Sequence, residues 1–266
     1  MSPRRLRFVS YLAPNLLPVY GFIARHVGMR LGRPTELRAG GPYDELDDPP
    51  EVAFLCSLAY VEHARRAAPT VEPIAAPVLH GARYGGRPIY FSDVIARWDS
   101  PFRSFADLRG QSWSFNEPLS QSGYGITRHH LLRLGETRGY FGNVVEAGFH
   151  ERSIRLVRSG AVAASAVDSQ VLAVAMRDHP ELAADLRVID SLGPSPIQPV
   201  VVARHLPAAL KGDLRAVLVE MAGYPGARQR LAHGFVERFV PVGDAAYDPI
   251  RAMLAEAEAA DFLTLR

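Results

Sequence analysis

Apolar runs of strand length alternate with helical patterns from one end of this chain to the other. That alternation restricts it to an α/β fold with mixed, mostly parallel sheets. Leu6 to Tyr11 reads as a first strand. Leu16, Tyr20, Ile23 and Val27 then recur at helical spacing, and Thr35 to Ala39 is extended again, completing a β-α-β unit. Glu51 to Leu55 reads as a short buried strand, with Ser57 placed to cap a helix running through Tyr60 and His63. Further strands are predicted over 71–78 and 89–96. The Asp99-Ser100-Pro101 turn leads to a short helix around Phe105 to Leu108, ended by Gly110, and to a strand over 112–115. A helix follows from Ser122 until Gly135 stops it, then a strand near 144–147, a helix over 151–159, a small-residue strand over 161–167 and a helix from about Ser169. Residues 192–199 are too rich in proline for either element and read as a crossover before a strand over 200–203. The remainder is predicted to be mainly helical, with amphipathic stretches over 207–222 and 247–260.

The chain has 266 residues and 48% hydrophobic content, enough for one large core or two modest ones. Thirty basic side chains face 28 acidic ones, so no strong field points to nucleic acid or an anionic membrane. Any preference for an anion has to come from a local site. The lone Cys56 excludes an intrachain disulfide and a multi-cysteine metal centre. His129 and His130 are adjacent on a helix and diverge, and no His-Glu-x-x-His occurs, so neither metal nor cofactor is expected. No Walker loop, dinucleotide glycine fingerprint or serine nucleophile elbow is present, which weakens every common enzyme reading. The N-terminus, Met1 to Ser10, is basic but turns polar before an apolar core of signal-peptide length can form. No stretch reaches the length of a transmembrane helix.

Three segments gather polar residues where apolar strands end, the edge at which open α/β sheets hold ligands. In Glu117-Pro118-Leu119-Ser120-Gln121-Ser122-Gly123, hydroxyls and an amide precede a helix whose free N–H groups can take an anion without any lysine or arginine. Alternatively, Ser120 or Ser122 simply caps that helix. In Gly148-Phe149-His150-Glu151-Arg152-Ser153, His150 can donate to an oxyanion with a charge that responds near neutral pH, or it is a surface histidine before a helix. In Ser165-Ala166-Val167-Asp168-Ser169, Asp168 either caps the next helix or accepts the proton of a monoprotonated oxyanion.

Five pieces in order resemble the phosphonate-binding proteins of ABC importers: Tyr90-Phe91-Ser92, Asp99-Ser100-Pro101, Ser120-Gln121-Ser122-Gly123, Gly148-Phe149-His150-Glu151-Arg152-Ser153 and Val167-Asp168-Ser169. The resemblance implies a two-lobed type II periplasmic-binding fold with the ligand clamped in the cleft between lobes. One lobe would be residues 1–92 plus 202–266 and the other 93–201, with hinges near 90–92 and 199–201. It implies a non-catalytic protein that holds a small phosphorus oxyanion through Tyr90, Ser120, Gln121, Ser122, His150 and Asp168. Gln121 stands where the family commonly has threonine, and Cys56-Ser57 where it often has Gly-Pro. Tyr11 and Ser57 are further candidates for the ligand-facing set, and Tyr11 and Tyr60 are equally candidates for ligand walls or core aromatics.

The partners so implied are the oxyanion and an ABC permease; nucleic acid is not expected, and the protein is expected to be a monomer. Family resemblance points to the periplasm, whereas the absence of a readable leader points to the cytoplasm. A cytosolic enzyme on the same fold, with Asp168 or His150 as its general acid or base, and a cytosolic ligand sensor are the alternatives.

Overall fold

The computed structural model describes residues 5–41, 44, 46 and 48–265. The first four residues, part of the basic N-terminus read above, lie outside them. In chain order the elements are β1 (Leu6–Ser10), α1 (Leu17–Leu31), β2 (Thr35–Ala39), β3 (Val52–Phe54), α2 (Ser57–Ala64), β4 (Val71–Leu79), β5 (Ile89–Arg97) and β6 (Ser112–Phe115). There follow α3 (Ile126–Arg133), β7 (Asn143–Glu146), α4 (His150–Arg158), β8 (Ala164–Asp168), α5 (Ser169–Asp178), α6 (Leu182–Asp185) and β9 (Leu186–Pro196). The chain ends with β10 (Val200–Ala203), α7 (Ala208–Glu220), α8 (Pro225–Ala232), β11 (Val236–Pro241) and α9 (Asp248–Ala259).

Contacts group the chain into two compact units, Met1–Ile89 with Pro196–Asp248, and Tyr90–Ser195 with Pro249–Arg266. The segment from Pro249 onward is therefore grouped with the second unit, where the expected division kept it in the first lobe.

The first unit is built on a six-stranded sheet in the order β11-β4-β10-β3-β1-β2. β1 is parallel to β2 and β3, while β10 runs antiparallel to both β3 and β4, so β1 to β4 share one direction. Helix α1 forms because Val19, Tyr20, Ile23 and Val27 fall on one buried face, and Gly32 ends it in the left-handed conformation at φ 60°. Tyr60, on α2, is fully buried against Tyr247 and is a core aromatic.

The second unit has a five-stranded sheet in the order β7-β6-β8-β5-β9. β6 is parallel to β7 and β8, and β5 runs antiparallel to β8. Every residue of β8 is buried, which its small side chains Ala164, Ser165 and Ala166 allow. Trp113 of β6 stacks on Phe141 at 4.6 Å in the core, and Phe105 stacks on Tyr140 at 5.5 Å.

Three elements differ from the sequence reading. The proline-rich stretch from Leu192 is extended, forming the second half of strand β9 as far as Pro196 at the sheet edge, where prolines cost no ladder hydrogen bond, and the grouping changes from the second unit to the first within it, between Ser195 and Pro196. β11, inside the part predicted to be mainly helical, is also an edge strand. Its central Glu237-Arg238 pair and a register shift between Val236 and Arg238 obscure the two-residue alternation. Finally, Cys56 occupies the N-cap position of α2 and Ser57 is its first helical residue, so Ser57 is not the cap.

Candidate functional site

Because β7, β6 and β8 are parallel neighbours, the loops leaving their carboxyl ends emerge along one edge of the second sheet. These are the loops that carry His150, Ser120 to Ser122 and Asp168. After β6 the chain turns through Asn116 to Leu119 and enters a π-helical turn over Gln121–Gly125 that runs directly into α3. The Gly125 N–H donates to the Ser120 carbonyl five residues back at 2.8 Å, and the Tyr124 N–H donates to the same oxygen at 3.2 Å. Such wide turns recur at functional sites because they re-aim side chains within a helix.

Ser120 is the cap: its Oγ accepts the Gly123 N–H at 3.0 Å. That leaves the Ser122 hydroxyl for another role, and it lies 2.8 Å from His150 Nε2 and 3.3 Å from Ser120 Oγ. Strand register creates this meeting. Phe115 pairs with Glu146 between β6 and β7, after which Ala147 N–H donates to the Phe115 carbonyl (2.8 Å) and Gly148 N–H to that of Asn116 (2.6 Å). Gly148, at φ 82°, then turns the chain so that His150 opens α4.

Gly123 makes the close approach possible. A Cβ there would overlap Asn116 Oδ1 and lie 3.2 Å from the Asn116 backbone nitrogen. Gly123→Ala is therefore expected to push the turn off the loop and lower the melting temperature; a variant that melts like the native protein would show that the turn has room to shift.

His150 is 5% exposed and not the surface histidine that was the alternative reading. Burial pushes its imidazole down to about 3, so it is neutral through the physiological range, contrary to the expected titration near neutral pH. Its Nδ1 is buried without a hydrogen-bond partner among the described residues. Glu117, to which the sequence reading gave no role, is also buried. Its Oε2 accepts the Leu119 N–H at 3.1 Å, and burial raises its carboxyl to about 7.

A raised carboxyl stabilises the fold below its unfolded value of 4.5, and that contribution is lost as pH rises through about 7. Glu117→Gln should therefore leave stability unchanged near pH 4 and add on the order of 3 kcal/mol at full ionisation above neutrality, read as a higher melting temperature there. Superimposable melting profiles across that range would mean that the carboxylate is solvated.

Asp168 does cap α5: its Oδ1 accepts the Gln170 N–H at 2.7 Å and the Val171 N–H at 3.3 Å. Gln121 is brought to the same turn, but its amide donates to Ser195 Oγ (3.2 Å) and reaches Met253 Sδ (3.3 Å). Tyr90 is fully buried at the start of β5, two residues before Ser92, which pairs with Asp168. Ser120, Ser122 and His150 thus form one hydrogen-bonded row. Asp168 stands at the neighbouring strand end, and none of these side chains is cationic.

In the first unit, Tyr11 and Ser57 share a comparable edge, since β1 and β3 are parallel and Ser10 pairs with Phe54. The Tyr11 N–H donates to the Phe54 carbonyl at 3.0 Å, and its half-buried ring lies against Gly40, leaving no room there for a side chain. The Ser57 hydroxyl is fully buried and has no hydrogen-bond partner among the described residues. Among those residues no cluster of histidine, cysteine or acid fits a metal ion, and no helix is long and apolar enough to cross a membrane.

Two mixed sheets with helices, and ligand-type loops at the carboxyl ends of parallel strands, define a periplasmic-binding-protein fold of type II. Residues 17–247 match the family described as "ABC transporter, phosphonate, periplasmic substrate-binding protein", and the chain belongs to that family. The fold is similar to that of a binding-protein component of an ABC phosphonate transporter from Pseudomonas aeruginosa (TM-score 0.84, 19% identity, covering 98% of this chain and 88% of that one). It is also similar to PhnD1 from Prochlorococcus marinus in complex with methylphosphonate (TM-score 0.82, 16% identity, covering 98% and 99%). An arginine-bound ancestral arginine-binding protein shares the fold more distantly (TM-score 0.60, 14% identity, covering 87% and 98%).

Proposed function

We propose that this protein captures a small phosphorus oxyanion, of the phosphonate, phosphate or phosphite class, for ABC import and performs no chemistry on it. The observation that carries this reading is the row of neutral donors at Ser120, Ser122 and His150, set on a π-helical turn at the start of α3. Hydroxyls, an imidazole and helix N–H groups favour an anion without supplying a full counter-charge. Asp168 then accepts the proton of a monoprotonated ligand, with Tyr90 on the neighbouring strand of the same unit. The protein acts as a monomer in the periplasm, delivers its ligand to a permease and has no nucleic-acid partner.

A serine 2.8 Å from a histidine also has the spacing of a nucleophile and its base. Two features argue against catalysis. Among the described residues the His150 Nδ1 lacks the acceptor that orients a catalytic imidazole, and an imidazole held at about 3 is a weak base near neutral pH.

Isothermal titration with methylphosphonate, phosphate and phosphite, followed by phosphorus NMR of the recovered ligand, tests the reading. At least one should bind and be recovered unchanged. A ligand at 100 times its dissociation constant should also stabilise the fold by roughly 2.7 kcal/mol. No binding to any of the three would overturn the ligand class, and a new phosphorus resonance would overturn the non-catalytic role.

A further inference from the structure

The turn that carries Ser122 is held from the far end of the chain. Tyr124 lies within it, and its hydroxyl donates to the Leu263 carbonyl at 2.9 Å while accepting the Leu265 N–H at 3.2 Å. One helical turn later, Arg128 Nη1 donates to the same Leu263 carbonyl at 3.1 Å. Gln121, the first residue of the turn, reaches Met253 on α9. Phe262 and Leu265 are each 4% exposed and share the hydrophobic core of the second unit with Tyr124 and Ile126. Residues 253–265 therefore grip the π-helical turn at its beginning, middle and exit.

We infer that this C-terminal segment is a working part of the anion site, with Tyr124 as the positioning residue that transmits its grip to Ser122. A turn with five-residue hydrogen bonds is a strained alternative to a regular helix and persists only where its surroundings fix it. Here those surroundings are supplied by the last residues of the chain. Affinity then depends on tail residues that need not touch ligand, and a deletion or fusion that displaces residues 262–265 weakens binding. The affinity arm of the test below rests on the proposed function; the exchange arm does not.

Deleting the tail removes two core side chains and can prevent folding, so the informative variant is Tyr124→Phe, which keeps the ring and removes both hydroxyl bonds. Tyr140→Phe is the control. It loses a buried hydroxyl bond of the same kind, to the Phe105 carbonyl at 2.9 Å, in the same unit but away from the turn. Both variants should melt earlier. Only Tyr124→Phe should bind methylphosphonate about five- to tenfold more weakly, well below the melting temperature, as expected for losing about 1 kcal/mol of positioning. In the absence of ligand, only Tyr124→Phe should speed amide hydrogen exchange across residues 120–125, by about tenfold. Equal affinity and equal exchange in the two variants would overturn the inference. If the native protein binds no methylphosphonate, the proposed ligand class is wrong for that probe, and the exchange comparison alone decides whether the tail positions the turn.

Discussion

Ser122→Ala is expected to weaken phosphonate binding by at least about tenfold. A hydrogen bond to a charged group is worth about 1.5–3 kcal/mol, and alanine removes the bond without disturbing the helix cap. The cap belongs to Ser120, whose Oγ takes the Gly123 N–H, so Ser122→Ala removes a donor without the cap, whereas Ser120→Ala removes cap and donor together. Ser120→Ala should cost about 1 kcal/mol of stability through the loss of an N-cap and so lower the melting temperature. Ser122→Ala also strips His150 Nε2 of the hydroxyl 2.8 Å away, leaving an imidazole with neither nitrogen bonded to a described residue. Some stability is therefore lost here too, and the comparison has to rest on affinity. Titration calorimetry beside a melt separates the effects. Unchanged affinity in Ser122→Ala, with a normal enthalpy of binding, would remove Ser122 from the site and with it the row of donors on which the proposed function stands.

The α/β alternation and most of the strands were legible because a strand such as β8, buried along its whole length, shows only apolar and small residues up to its terminal Asp168. The edge strands were not. β9 tolerates Pro194 and Pro196, and β11 carries Glu237 and Arg238, because one side of each lacks a neighbouring strand. The polar strand ends were visible as segments, yet sequence could not pair Ser122 with His150. Their meeting depends on the register between β6 and β7. Nor could it show that Gln121 would turn toward Met253, 132 positions away, or that the turn would be π-helical. Residue identity also says little about Glu117 and His150. Their proton affinities are set by burial, a property of the packed protein, and burial moves an acid up and a base down.

Those two groups decide how the selectivity of the site for a protonated ligand can be tested. Asp168→Asn is expected to abolish discrimination against the dianion. In the proposed role of Asp168, a fully deprotonated oxyanion meets the carboxylate at the end of β8, whereas a monoprotonated one donates to it. Affinity should therefore fall as pH rises through the ligand's own pKa. Asparagine suits this test because it caps helices about as well as aspartate, so the bonds to Gln170 and Val171 survive and the fold is little affected. His150 would confuse the result if it lost a positive charge over the same range. Held down to about 3 in the unliganded protein, it has no charge there to lose. Glu117 does titrate there: at about 7 it passes from neutral to negative as pH rises, and a new negative charge beside the turn would also weaken anion binding. The sign is the same as for Asp168, so a native titration alone cannot assign the effect. Glu117→Gln removes that contribution, and its affinity should still fall across the ligand's pKa. The double variant Glu117→Gln with Asp168→Asn should bind with a flat profile over the same interval. If the double variant keeps the slope of Glu117→Gln, Asp168 serves only as the cap of α5, and the preference for a protonated ligand lies elsewhere.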